Sequence, residues 1–329
     1  MTDHAKPTSS GASPPATGGE QHARIAALRE QIEADLQLGL DNTGTDPALA
    51  YTPSINTPSI TAETPQLLEA MTYATMAGGK RLRPLLCLAS ASAAGGQAEQ
   101  ARYAARALEY LHTYSLIHDD LPAMDDDSLR RGKPTCHVVY GEADAILAGD
   151  ALQALAFATL AQQPAKPSTT VAMLQVLSTA AGWTGMVGGQ SFDIALTGAE
   201  RVTQAQLETL HGAKTGALLR ASMELGAIAA EPDDSQILHL CTSIGSQLGL
   251  AFQVVDDVLD VTQTTAQLGK DSGSDAQQGK TTFVDLLGLQ GAQDYARDLY
   301  NQSTELLGDL PGDTALLQAI AREVVFRNR

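Results

Sequence analysis

The residues best placed to do chemistry in this chain are two short runs of aspartates. The first, His118-Asp119-Asp120-Leu121-Pro122-Ala123-Met124-Asp125-Asp126-Asp127, closes a stretch whose apolar positions Leu108, Leu111, Leu116 and Ile117 suit a helix. The second, Gln253-Val254-Val255-Asp256-Asp257-Val258-Leu259-Asp260, lies inside another apolar stretch. Asp256 and Asp260 stand four apart, so on a helix their carboxylates share a face and can grip one hard cation or its bound waters. Mg2+ suits such a place, because it keeps several waters and takes one or two carboxylates plus substrate phosphates. A single acidic run is ordinarily a solvated helix end. Two runs beside apolar helical sequence are different: unpaired carboxylates there are costly to desolvate, and a shared counter-ion removes that cost.

Cationic segments lie between and around these acids: Gly78-Gly79-Lys80-Arg81-Leu82-Arg83-Pro84, Arg130-Arg131-Gly132-Lys133, Lys214-Thr215, and Lys270 with Lys280. Arg recognises phosphate oxygens through a planar fork, Lys through a point charge, and glycines let backbone N–H groups approach an anion. Each segment alone could be a solvated basic turn; together, in a chain of formal net charge -17, they are materials for phosphate sites. The same acidity argues against nucleic acid and anionic membrane surfaces as partners.

Elements must position these groups. Aromatics make up only 4% of the 329 residues, which leaves core filling to Ala, Leu, Ile and Val and favours helices. Beyond Pro65 long Ala- and Leu-rich segments alternate with Gly or Pro breaks, and alternating β-branched runs are missing, so the body reads as all-helical. From Ser235 to Thr262, Leu248, Phe252, Val255 and Leu259 mark an apolar face. Beside it Gly245, Gly249, Gln253, Asp256 and Asp260 fall along one line, suited to the floor of a cavity. Ile25, Leu28, Ile32 and Leu36 give Ala23 to Leu40 helical spacing, and a Pro-, Thr- and Asn-rich connection leads on to Pro65. Residues 1–22 are expected to be a disordered low-complexity tail, poor in large apolar side chains, with 23–329 as one domain. Neither a signal peptide nor a stretch long enough to span a bilayer is read here. Cys87, Cys136 and Cys241, lacking CxxC spacing, read as buried free thiols, and the expected location is cytoplasmic.

Taken in order, the Gly78 to Pro84 segment, the Asp119 to Asp127 run followed by Arg130-Arg131-Gly132, Gly188-Gly189-Gln190, Lys214-Thr215-Gly216 and Asp256-Asp257-Val258-Leu259-Asp260 closely resemble the bacterial farnesyl diphosphate synthases, short-chain members of the trans-isoprenyl diphosphate synthase family. The likeness runs from about Pro65 to Arg329, and Leu116 to Asp127 looks like the family's first aspartate-rich motif. It implies a single-domain all-α isoprenoid synthase fold, with helices around a deep central cavity, usually as a homodimer. The implied reaction joins dimethylallyl or geranyl diphosphate to isopentenyl diphosphate, giving farnesyl diphosphate and free diphosphate.

By the same resemblance Asp119, Asp125, Asp256 and Asp260 hold a cluster of roughly three Mg2+ ions, for which Mn2+ can substitute, on the allylic diphosphate. Arg130, Lys214 and Lys270 contact its oxygens, with Asp120, Asp257 and Lys280 supporting that shell. Isopentenyl diphosphate takes a second, metal-free pocket made by Gly79, Lys80, Arg83, His112 and Arg131. Gln190, Thr215 and Gln253 form a polar lining that stabilises an allylic cation by dipoles. Tyr114, with Ser115 after it, matches the bulky residue that limits product length in farnesyl-making enzymes. Helix geometry alone aligns Asp119 with Asp126, and turns Tyr114 about 140° from Asp119; Pro122 should kink or end the helix between them and Asp125. His112, Ser115 and Asp119 do share one face. One departure stands out: the sequence reads Lys280-Thr281-Thr282-Phe283-Val284 where the family commonly has Tyr-Pro after the Thr, a change that activity should survive.

Geranylgeranyl or geranyl diphosphate synthases are the nearest alternatives. A terpene cyclase would be expected to carry a different second metal motif and no Gly-Gly-Lys-Arg-Leu-Arg-Pro segment, and a non-catalytic subunit to lack one of the acidic or basic sets.

Overall fold

Ala- and Leu-rich sequence can bring helices very close together, and the computed structural model is built on that closeness. It describes residues 18–41, 65–199, 201–232, 234–263 and 280–327. The helices in chain order are α1 (Gly18–Asp41), α2 (Pro65–Thr75), α3 (Leu82–Ala93), α4 (Arg102–Asp119), α5 (Cys136–Tyr140), α6 (Glu142–Ala161), α7 (Pro167–Ala181), α8 (Met186–Leu196), α9 (Gln204–His211), α10 (Ala217–Ala229), α11 (Ser235–Thr262), α12 (Phe283–Leu307) and α13 (Ala315–Val325). One hairpin interrupts them, β1 (Leu129–Arg130) with β2 (Lys133–Pro134). Its two-residue turn places both Arg131 (φ 54) and Gly132 (φ 76) in the left-handed region, as a tight twisted hairpin requires. The expected all-α architecture is therefore what the chain adopts, apart from this ribbon.

Sequence signals explain the ends. Thr203 and Thr282 open α9 and α12 with reciprocal capping boxes, and the Asp234 side chain caps α11. The span read from periodicity for α11 matches. α1 instead begins at Gly18, so the boundary expected at 22 moves toward the N-terminus; Ile25, Ile32 and Leu36 are buried as the spacing predicts. Residues 1–17, and the connection over 42–64, lie outside the described residues.

Paired helices α4 and α6, α3 and α10, and α11 with both α10 and α12 enclose the core. A Cβ on Gly226 would meet Cys87 O at 2.1 Å, one on Gly245 the Arg220 Cα at 2.8 Å, and one on Gly249 the Gly216 Cα at 2.8 Å. The glycine end of the α11 line thus closes a helix contact instead of flooring a cavity, because backbones this near leave no space between them. The three cysteines are free and buried.

By length and composition Glu142–Ala161, Pro167–Leu196 and Ser235–Thr262 reach what a membrane crossing needs. That corrects the expectation that no stretch is long enough. The second is two helices, α7 and α8, and the third carries Asp256, Asp257 and Asp260.

Candidate active site

Pro122 cannot continue α4, and the helix ends at Asp119 with Asp120 as its cap. The chain folds back so that Asp125 N donates to Asp119 O at 2.9 Å and Asp126 N to Leu121 O at 3.2 Å. Asp125 therefore returns to Asp119, half-buried, while Asp126 (φ 54) is exposed. This break in the helix is why the straight-helix pairing of Asp119 with Asp126 does not form. Burial raises the Asp119 carboxyl to about 6, with Lys214 pulling it down and Asp125 adding to the rise. Asp120 is also raised to about 6 by burial, against the pull of Arg130. Arg130 donates Nε to Asp120 at 2.5 Å and Nη2 to Asp127 at 3.1 Å, so the first cluster fixes its own arginine.

The second cluster lies within an unbroken helix. Asp257 is buried and accepts from Phe283 N at 2.8 Å and Gln253 Nε2 at 3.2 Å. Phe283 and Val284 stand where the family's Tyr-Pro was expected, so the residue after Phe283 keeps an N–H that proline lacks. Asp260 is buried. Asp256 is the exposed member, its side chain 42% accessible, and it accepts from Arg327 Nη2 at 2.6 Å. Arg327 also donates to Phe252 O at 2.8 Å and lies over the Phe252 ring at 3.9 Å.

Lys214 and Thr215 stand on a single π-helical turn, Gly212–Gly216, between α9 and α10. Such turns carry an extra residue per turn and are frequent at functional sites. α8 presses on it: a Cβ on Gly189 would come within 2.3 Å of Lys214 N. Lys214 Nζ meets Asp193 at 2.6 Å, with Lys280 Nζ at 3.7 Å from the same carboxylate, and Thr215 Oγ1 donates to Gln253 Oε1 at 3.2 Å. Asp193 is held below the usual range despite burial, because the two ammonium groups favour its charged form. Asp119, Gln190, Lys214 and Thr215 line one cavity of about 700 Å3, continued by apolar Met186 and Phe252. Tyr114 and Ser115 lie in its wall too, although ideal helix geometry turns Tyr114 away from Asp119. Gln190 Oε1 is buried with no partner among the described residues.

On the α3 side, Gly78 (φ 88) and Gly79 (φ 130) form a loop that only glycine adopts readily. A Cβ on Gly79 would come within 2.6 Å of the Arg131 guanidinium carbon, and Arg131 Nη1 donates to Gly78 O. Arg83 is lowered to about 10 by burial, and its Nε has no partner among the described residues. His112 falls well below its ordinary range, first from burial and then from Arg83 and Arg131. Lys80 is lowered by burial and Arg327. Arg83, His112 and Arg131 thus repel one another, and Glu109 acts on both arginines in the opposite sense.

The family model described as polyprenyl synthetase matches residues 64–313. The chain belongs to that family. It is 44% identical over 306 residues to the farnesyl diphosphate synthase of Escherichia coli (strain K12), covering 91% of the chain and 99% of that protein. It is also 42% identical over 287 residues to a chloroplastic geranylgeranyl pyrophosphate synthase of Capsicum annuum, covering 86% and 78%. Among solved structures, an FPP/GFPP synthase from Zymomonas mobilis superposes with a TM-score of 0.76 at 36% identity, covering 92% of this chain and 99% of that one. A geranylgeranyl pyrophosphate synthetase from Pyrococcus horikoshii gives 0.81 at 30% identity, covering 94% and 99%.

In this polyprenyl synthetase Arg83, His112, Tyr114, Ser115, Asp119, Gln190, Lys214 and Thr215 line the same cavity, and Arg131 lies against the Gly78 loop. Lys270 lies outside the described residues. Two functional candidates went unread in the sequence. Asp193 follows Gly188-Gly189-Gln190 by one helical turn, a spacing that could have flagged it, whereas Arg327 gives no local signal. Among the described residues no three His, Cys, Asp or Glu side chains converge as a metal cage. The half-buried Asp119 and Asp125 repel one another and suit a hydrated cation that completes its shell with phosphate oxygens.

Proposed function

We propose that this chain condenses dimethylallyl or geranyl diphosphate with isopentenyl diphosphate, making farnesyl diphosphate and releasing diphosphate. The observation that carries the reading is the placement of Asp119, Lys214, Arg83 and His112 in the lining of one largely apolar cavity. Asp119, Asp125, Asp256 and Asp260 would hold Mg2+, which when bound neutralises charge on the departing diphosphate. Lys214, oriented by Asp193, meets the same oxygens, with Arg130, Lys270 and Lys280 assigned to that end as well. Arg83, Arg131, Lys80 and the Gly79 backbone take the isopentenyl diphosphate, and a neutral His112 donates or accepts one hydrogen bond there. Thr215, Gln253 and Gln190 present dipoles to the cation that forms at the allylic carbon, without a nucleophile to trap it. Released diphosphate removes the proton from the new chain.

Tyr114 in the cavity wall, 4% exposed, supports a fifteen-carbon limit. Relatives that make geranylgeranyl diphosphate supply the second reading. Labelled isopentenyl diphosphate with either allylic partner, with and without Mg2+, tests both: no condensation would sink the enzyme, and a twenty-carbon product would sink the farnesyl assignment. Tyr114→Ala should lengthen the product. We also assign the chain a cytoplasmic location and a homodimer, the latter supported by Val138, Val139, Ile146 and Leu147 exposed along α5 and α6. A monomer by light scattering would remove the dimer.

A further inference from the structure

α1 carries none of the sequence motifs, yet two of its side chains reach the Gly78 loop. Arg81, at the start of α3, has φ 50, a backbone that side-chain-bearing residues rarely adopt. Its side chain is 1% exposed and directed wholly at protein groups. Nε and Nη2 fork onto Glu33 of α1 at 2.7 and 2.9 Å, Nη1 meets Glu109 of α4 at 2.5 Å, and Nη2 also donates to Thr75 O at 2.7 Å. One turn earlier on α1, Arg29 donates Nε to Lys80 O at 3.1 Å and pairs with Glu323 of α13 at 2.8 Å. The loop thus has left-handed backbone at Gly78, Gly79 and Arg81, and it is gripped from α1 at both Lys80 and Arg81.

We propose that Glu33 and Arg29 are positioning residues that hold the Gly78 to Arg81 loop so that Lys80, and Arg83 in the first turn of α3, are preorganised for the diphosphate of isopentenyl diphosphate. The proposal rests on the reading of Arg83, His112 and Arg131 as that pocket. A loop with three left-handed positions has many alternative shapes, and a bidentate charge-assisted pair at its centre removes them. Docking of α1 has its own ties: Arg102 pairs with Asp35, and Arg24 with Asp313 at 2.8 Å. Loop positioning and helix docking can therefore be separated.

The experiment compares Glu33→Gln, Asp35→Asn and Arg83→Gln by steady-state kinetics in both substrates and by thermal melting. Glu33→Gln is expected to raise KM for isopentenyl diphosphate about tenfold, as for one lost charge-assisted bond, with KM for the allylic substrate and kcat within about twofold. Asp35→Asn should lower the melting temperature without separating the two KM values. If Arg83→Gln raises KM for isopentenyl diphosphate and Glu33→Gln moves both KM values equally, or neither, the positioning role is overturned and the pocket stands. If Arg83→Gln leaves that KM unchanged, the pocket falls and the positioning role with it.

Discussion

At the first acidic cluster the helix stops, and at the second it runs on; two runs of aspartates consequently yield different parts. Pro122 and the turn after it carry Asp125 back to Asp119, producing neighbouring carboxylates, one raised to about 6, with Arg130 tethered by Asp120 and Asp127. In α11 successive acids point in different directions, as 100° per residue demands. Asp257 is turned inward to the N-terminus of α12, Asp260 is buried, and Asp256 alone is well exposed, facing Arg327. One cluster gathers its acids by breaking a helix, while the other divides its acids among separate tasks by keeping one.

Substitutions can break that contrast. The largest effect is expected from Asp119→Ala or Asp256→Ala, each lowering kcat by about a thousandfold or more with little change in melting temperature, since each removes a proposed cation ligand and no core packing. A mild loss at either position would return that cluster to an ordinary solvated helix end. Next, Gly189→Ala should displace the Lys214 backbone and cost about 1 to 3 kcal/mol of overpacking, visible together in melting and in kcat. Asp257→Ala should act through stability: the Phe283 N–H loses its acceptor, and about 1 to 3 kcal/mol should disappear from chemical denaturation. Full retention of stability would mean that the cap is satisfied elsewhere. The smallest effect belongs to Asp126→Asn, expected to leave kcat within about threefold because this residue is exposed and its backbone hydrogen bond goes to Leu121 O. A loss as deep as that of Asp119→Ala would reverse the choice of Asp125.

Much of the fold was legible because its signals are local. Apolar spacing marked α11 to the residue, and Ile25 to Leu36 marked α1. Bounds failed where local signals are weak: Gly18 to His22 have a tail-like composition but continue α1. The glycines of α11 looked like a cavity floor because spacing reveals which residues share a face, and only packing reveals what that face meets. Arg327 stayed invisible for the same reason, its partners Phe252 and Asp256 lying more than seventy positions away.

The sequence by itself determined the helical class, the two acidic clusters and the basic segments, since side-chain chemistry and periodicity are properties of short stretches. Its ordered motifs also carried the family resemblance. Tertiary structure decided which aspartates point outward, that Tyr114 and Asp119 share one cavity, that a π turn presents Lys214, and that Arg81 is held by protein groups while Arg83 Nε has no partner among the described residues. The physical reason is that each of these depends on how backbone breaks and close helix contacts rotate a side chain, and those contacts join residues far apart in the chain.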